Sequence, residues 1–186
     1  MDALFRSQLV ALLPRLRRFA RGLSGSADRA DDLVQAACER ALARMEQWTP
    51  GTRLDSWMFR IIRTIWIDQL RARAVRERAQ EMGDTIEQVF DGERHVEARL
   101  TLEAVREAAG ALVPEQREVL LLIAVEGASY KEAAEILDIP IGTVMSRLAR
   151  ARAALLRQMA ERRGRAATGP QESAGDESRG KVVRLI

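Results

Sequence analysis

The chain has 186 residues, 47% of them hydrophobic but only 4% aromatic, with a formal net charge of +3. That suffices for one domain or two small ones, and the balance of Ala and Leu over aromatics points to helices rather than sheet. A single cysteine (Cys38) and a single histidine (His95) exclude a disulfide framework and leave too few ligands for a Cys/His zinc site. The opening M-D-A-L-F-R-S-Q has no signal-peptide apolar core, and no stretch reaches the ~18 apolar residues of a membrane span. The expectation is a cytoplasmic chain with no cofactor. Of the 30 basic residues all but Lys131 and Lys181 are arginine. Arginine suits bidentate contacts to phosphate and guanine; a GC-rich coding sequence gives the same bias.

The first predicted helix spans Leu4 to Leu23, with Leu9, Leu12, Leu13, Leu16, Phe19 and Ala20 on its apolar side. Pro14 should kink it or start it anew, and Arg15, Arg17, Arg18 and Arg21 load one end. After a break at Gly22–Gly25, Ser26 caps the next helix and Asp28 sits in its first turn. That helix runs to about Trp48 with a stripe of Leu33, Val34, Ala37, Cys38, Ala41, Leu42 and Met45. Asp31, Asp32 and Gln35 are left exposed. Thr49-Pro50-Gly51-Thr52 is a tight loop.

A third helix spans about Leu54 to Ala74. At about 100° per residue, Met58, Phe59, Ile62, Ile65, Trp66 and Leu70 fall on one side, and Trp57, Arg60, Thr64, Asp68 and Arg71 on the other. An aromatic ring among arginines is what an unstacked base needs, with a charged track for its backbone. A Trp folded against a neighbouring helix is the alternative. From Glu77 to Glu107 there are nine acids against four bases, and Gly83-Asp84 and Asp91-Gly92 interrupt any helical pattern. Residues 76–95 read as a linker between two domains, 1–75 and 96–163.

Helix resumes from about Val96 to Ala111. Pro114 then opens another through E-Q-R-E-V-L-L-L-I-A-V, closed by Gly127. Ser129 and Glu132 form a capping box for a short helix carrying Ala133, Ala134, Ile136 and Leu137. Pro140 ends it near Leu137. A second helix from about Ile141 has inward positions Val144, Leu148, Ala151 and Leu155. Its outward face carries Ser146, Ala149, Arg150, Ala153 and Arg157, flanked by Met145, Arg147 and Arg152. Seven arginines face one glutamate over Ile141–Arg165. The pattern is a helix-turn-helix with a basic outer face, and it points to DNA. From residue 164 the composition turns to that of a disordered tail, ending in V-V-R-L-I.

The ordered set of segments R-A-D-D-L-V-Q-A-A-C-E-R-A-L, L-D-S-W-M-F-R-I-I-R-T-I-W-I-D-Q-L-R, L-V-P-E-Q-R-E-V-L-L-L and S-Y-K-E-A-A-E-I-L-D-I-P-I-G-T-V-M-S-R-L-A-R-A-R resembles the extracytoplasmic function (ECF) sigma factors of bacterial RNA polymerase over about residues 5–160. The resemblance implies an all-α chain of two small helical domains, regions 2 and 4, joined by a flexible linker. It implies docking of Asp31, Asp32, Leu33, Val34 and Gln35 on the polymerase β′ clamp helices, and of the chain on the β flap. It implies −10 recognition and melting by Trp48, Arg53, Trp57, Arg60 and Thr64 around the loop Trp48–Leu54. It implies −35 recognition by Thr143, Met145, Ser146, Ala149 and Arg150, with Arg147 and Arg152 nearer phosphate. Thr64 replaces a frequent Asn, and Met145 a frequent Lys or Arg. An anti-sigma partner is also implied. A stand-alone helix-turn-helix regulator is the alternative, although no heptad run or ligand-binding domain accompanies it. No Gly-rich phosphate loop, Ser/His/acid set or metal cluster speaks for an enzyme.

Overall fold

A computed structural model describes residues 2–80 and 108–167, and every regular element among them is helical. Helices α1 (Asp2–Ser24), α2 (Ala27–Ala43) and α3 (Leu54–Gln80) form the first half. A 3-10 turn, Met45–Gln47, follows α2. The second half holds α4 (Pro114–Leu120), continued by a π-helical turn Leu121–Val125, then α5 (Tyr130–Leu137) and α6 (Ile141–Ala167). Most of the expected linker, most of the helix from Val96 to Ala111, and the tail beyond Ala167 lie outside the described residues.

The apolar stripes of α1, α2 and α3 meet in one core. Phe5, Leu16, Phe19, Leu23, Leu33, Met58 and Ile62 are fully buried, each contributing roughly 1.5–3 kcal/mol by leaving water. Phe19 and Phe59 sit 4.8 Å apart. Several expectations need correction. α1 runs through Pro14 without a new start. Pro14 and Val10, whose carbonyl the ring would crowd, are both on the exposed side, where the freed carbonyl faces solvent rather than the core. Leu42 is 40% exposed rather than core, because α2 ends one residue later at Ala43. Ser26 holds the N-cap position without a side-chain cap bond. α3 continues six residues past Ala74.

Glu118, Val119, Leu120, Leu121 and Leu122 carry the second half's core, with Ala133, Ile136, Leu137, Val144, Leu148 and Ala151. The π turn is marked by the bond from the Glu126 amide to the Leu121 carbonyl, five residues back, at 3.0 Å. Gly127, with φ of +70°, then reverses the chain.

The two halves are not separate in space. Leu121 packs so closely on Gly22 that a Cβ there would lie 2.4 Å from a Leu121 methyl. One continuous apolar cluster runs from Phe5 to Ala151. The half-buried Arg117 of α4 reaches across to donate to the Leu23 carbonyl at 2.9 Å, while also binding the carbonyls of Ala109, Gly110 and Leu112.

Candidate nucleic-acid interface

The helix-turn-helix is built by local chemistry. The Ser129 hydroxyl accepts from the Glu132 amide at 3.2 Å, and the Glu132 carboxylate accepts from the Ser129 amide at 2.7 Å. Two of the orphan amides at the start of α5 are thereby satisfied. Asp138 closes α5 in the left-handed region, φ 54° and ψ 52°. Aspartate tolerates that region better than most side chains. The Pro140 carbonyl accepts from Thr143 and Val144, which starts α6.

On α6, Val144, Leu148 and Ala151 are fully or almost fully buried, and Leu155 half-buried. Met145, Ser146, Ala149, Arg150, Arg152, Ala153 and Arg157 are exposed; Thr143 and Arg147 are half-buried. The Ser146 hydroxyl donates to the Thr143 carbonyl at 3.0 Å, so its lone pairs remain available. This face of α6 is open to solvent from Met145 to Arg157.

The expected site on the first half is arranged differently. Trp48 is only 4% exposed, and its ring lies 5.5 Å from Phe5. Its indole N–H is buried without a hydrogen-bond partner. Trp57 is half-buried, edge-on to Phe5 at 6.2 Å. Of the two readings of Trp57, packing describes this arrangement. The loop between the two rings is held by the Thr52 hydroxyl donating to the Thr49 carbonyl at 2.6 Å, with Gly51 at φ +88°. Arg60 and Thr64 are exposed, and the Thr64 hydroxyl donates back to the Arg60 carbonyl at 2.9 Å.

Arg53 donates twice to Asp55, at 3.1 and 2.7 Å, and also pairs with Glu132 of α5. Asp55 additionally accepts from Arg15 at 3.1 Å and from the Ser56 amide at 2.8 Å. The hydrogen bonds from Arg53, above all, hold its carboxyl down at about 2, against the opposing effect of burial. Arg60 donates to the Glu135 carbonyl on α5. Thus α5 is bound by Arg53, in the loop before α3, and by Arg60 on the polar side of α3.

The expected docking segment on α2 divides. Asp31, Asp32 and Gln35 are exposed, but Leu33 and Val34 point into the core, since they lie on the opposite side of the helix. Only the three polar residues offer a surface. Asp31 accepts from Arg17 at 3.1 Å, and Gln35 donates to Glu39 at 3.1 Å. Asp32 lines a hollow with Arg29, Gln69, Arg73 and Arg76.

Three arginines outside the expected site stand out. Arg15 and Arg18 of α1 converge on Glu126, whose side chain is 1% exposed, at 3.1, 2.9 and 3.0 Å. Arg63 of α3 donates to Glu118 at 3.0 Å. Burial raises the Glu118 carboxyl above its ordinary value, with Arg63 opposing. Partners 55 to 111 residues apart leave no periodic trace in the sequence.

Comparison with known proteins identifies the family and the fold. Residues 102–155 match the family model of sigma-70 region 4, and residues 9–63 that of the Sigma2 domain of PhyR. The ECF RNA polymerase sigma factor EcfG of Rhodopseudomonas palustris is 39% identical over 150 residues, covering 81% of this chain and 82% of that one. A probable RNA polymerase sigma-C factor of Mycobacterium bovis is 36% identical over 127 residues, 68% of each chain. Among solved structures, the sigma factor RpoE of Bartonella quintana, in complex with the anti-sigma factor NepR, superposes with a TM-score of 0.72 at 33% identity, covering 84% of this chain and 96% of that one. CnrH, in complex with the cytosolic domain of CnrY, gives 0.64 at 25% identity over 87% and 90%. The all-helical fold, the capped helix-turn-helix and the extent of these matches lead to one conclusion: the chain belongs to the ECF sigma factors of RNA polymerase.

Proposed function

We propose that the chain is a dissociable promoter-recognition subunit that binds core RNA polymerase in the cytoplasm, reads two promoter elements and performs no catalysis itself. The observation that carries the reading is the open outer face of α6. There Ser146, Ala149 and Arg150 stand exposed over a buried Val144, Leu148 and Ala151. Such a helix enters the major groove, where each base pair shows a distinct donor and acceptor pattern. In this reading Arg150 reaches a base edge, Thr143, Met145, Ser146 and Ala149 line the groove, and Arg147 and Arg152 meet phosphates.

Recognition and melting of the −10 element falls to the loop from Trp48 to Arg53 and to Trp57, Arg60 and Thr64. Trp48 is buried and Arg53 and Arg60 are engaged by α5, so this role requires the second half to move off the first. Asp31, Asp32 and Gln35 present the polymerase-docking surface. Proteins similar to this chain have been solved with anti-sigma factors bound, which supports control of this chain by such a partner.

The experiment uses holoenzyme reconstituted with core polymerase and a −35 duplex with its point variants. Losing a bidentate base contact costs about 1–3 kcal/mol and relaxes specificity at one position. Losing a phosphate contact weakens all sequences alike. Arg150→Ala should therefore flatten preference at one −35 position, whereas Arg152→Ala should not. A uniform loss for Arg150→Ala would make it a phosphate contact instead.

A further inference from the structure

Five arginines of the first half face the second half. Arg15 and Arg18 end on the Glu126 carboxylate, Arg63 on Glu118, Arg53 on Glu132, and Arg60 on the Glu135 carbonyl. They come from two helices and the loop before α3, so no single helical stripe explains them. The acceptors are three carboxylates and two main-chain carbonyls, since Arg15 also donates to the Glu126 carbonyl at 3.4 Å. Glu118 and the Glu126 side chain are each only 1% exposed. Arg18 grips both oxygens of Glu126, at 2.9 and 3.0 Å. That fork matches a phosphate as well as a carboxylate.

We infer that this five-arginine face is a track for the phosphate backbone of nucleic acid, and that Glu118, Glu126 and Glu132 occupy it in place of phosphates while the halves are packed. The inference rests on the promoter-binding reading above and extends it to Arg15, Arg18 and Arg63, which that reading leaves out. Two of the five, Arg53 and Arg60, flank Trp57 and the loop assigned there to melting. Arg15 is joined to the same group through Asp55, which also holds Arg53. When the halves part, Asp55 stays bound to Arg15 and Arg53, while the contacts of Arg18, Arg60 and Arg63 with the second half are lost. The face is then strongly basic, and a polyanion that releases counterions on binding satisfies it. Promoter DNA and the second half thus compete for the same arginines.

The simpler account makes the five arginines only a clasp between the halves. The two accounts differ at Arg18, whose side chain is 52% exposed, so that a substitution there spares the core. Full-length chains carrying Arg18→Gln or Glu126→Gln are assembled with saturating core polymerase, and binding to a fluorescent, partly melted promoter duplex is titrated from about 50 to about 200 mM salt. A lost phosphate contact lowers the slope of log affinity against log salt by about one unit, a roughly three-fold smaller decline over that range. Arg18→Gln should show this weaker slope and lower affinity at low salt. Glu126→Gln should bind DNA in the holoenzyme like wild type, while the free chain captures core polymerase more readily. Wild-type slope and affinity for Arg18→Gln would overturn the inference and leave only the clasp. If Glu126→Gln fails to fold, the Arg18→Gln slope alone decides. Failure of the wild-type holoenzyme to bind the template would instead overturn the promoter-binding reading itself.

Discussion

Gly22→Ala tests the packing of the two halves. An added Cβ would lie 2.4 and 2.8 Å from the two methyl carbons of Leu121 and 3.2 Å from its Cγ, where carbon atoms prefer about 3.5–4.0 Å. Leu121 is 7% exposed, so its side chain has little room to turn away. Overpacking of this kind costs about 1–3 kcal/mol. Working against it, alanine is favoured over glycine in a helix by up to about 1 kcal/mol. In the full chain the balance is a loss of roughly 1 kcal/mol. Leu121→Ala, itself costing about 2–5 kcal/mol, removes the obstructing methyls. In that background Gly22→Ala should therefore become stabilising, by up to about 1 kcal/mol. Urea unfolding of the four chains measures this reversal as a coupling of about 1–3 kcal/mol. If Gly22→Ala stabilised the chain equally with Leu121 present or absent, α1 and the π turn would not be in contact in solution.

Further outcomes follow from the exposed and titrating groups. Asp32→Asn should weaken capture of core polymerase in a pull-down while changing stability by no more than about 0.5 kcal/mol, as is usual for a surface site. Trp57→Ala should slow open-complex formation on duplex promoters, with partial rescue by a pre-melted bubble, since base stacking is worth roughly 1–3 kcal/mol; equal loss on both templates in a folded variant would exclude the role. Asp55 has a folded value of about 2, below its ordinary 3.8. Its stabilising contribution is therefore full above the unfolded value and disappears as pH falls through about 2. Asp55→Asn should remove that acid-dependent component from thermal melts between about pH 5 and pH 2, and an unchanged acid limb would contradict the Arg53–Asp55–Arg15 arrangement.

What the sequence made legible was local. The Ser129/Glu132 capping box, the stop before Pro140 and the inward spacing of Val144, Leu148 and Ala151 all involve residues within a few turns of one another, and the structure has each of them. Burial at Phe19, Leu33 and Ile62 follows from helical periodicity in the same way. Leu42 escaped because periodicity does not say where a helix stops being covered. Burial of Trp48 escaped, and the two readings of Trp57 stayed open, because the position of both rings depends on Phe5, more than forty residues earlier in the chain. The pairing of Arg15 and Arg18 with Glu126 and of Arg63 with Glu118 is set by how the halves pack, and charges so far apart carry no pattern. The widened turn at Leu121–Val125 likewise had no local signal, because those five apolar residues suit an α-helix equally well.

The central claim is promoter-directed initiation, and run-off transcription tests it most directly. Purified chain is added to bacterial core polymerase on a genomic promoter library, and transcripts are mapped by their 5′ ends. The account predicts discrete start sites that require the chain and share two upstream elements at fixed spacing. It predicts that those starts are lost when the outer face of α6 is disabled by Arg150→Ala together with Ser146→Ala. Core polymerase initiating no differently with and without the chain, while the chain binds duplex DNA alone, would contradict the account and identify a regulator that acts without joining polymerase.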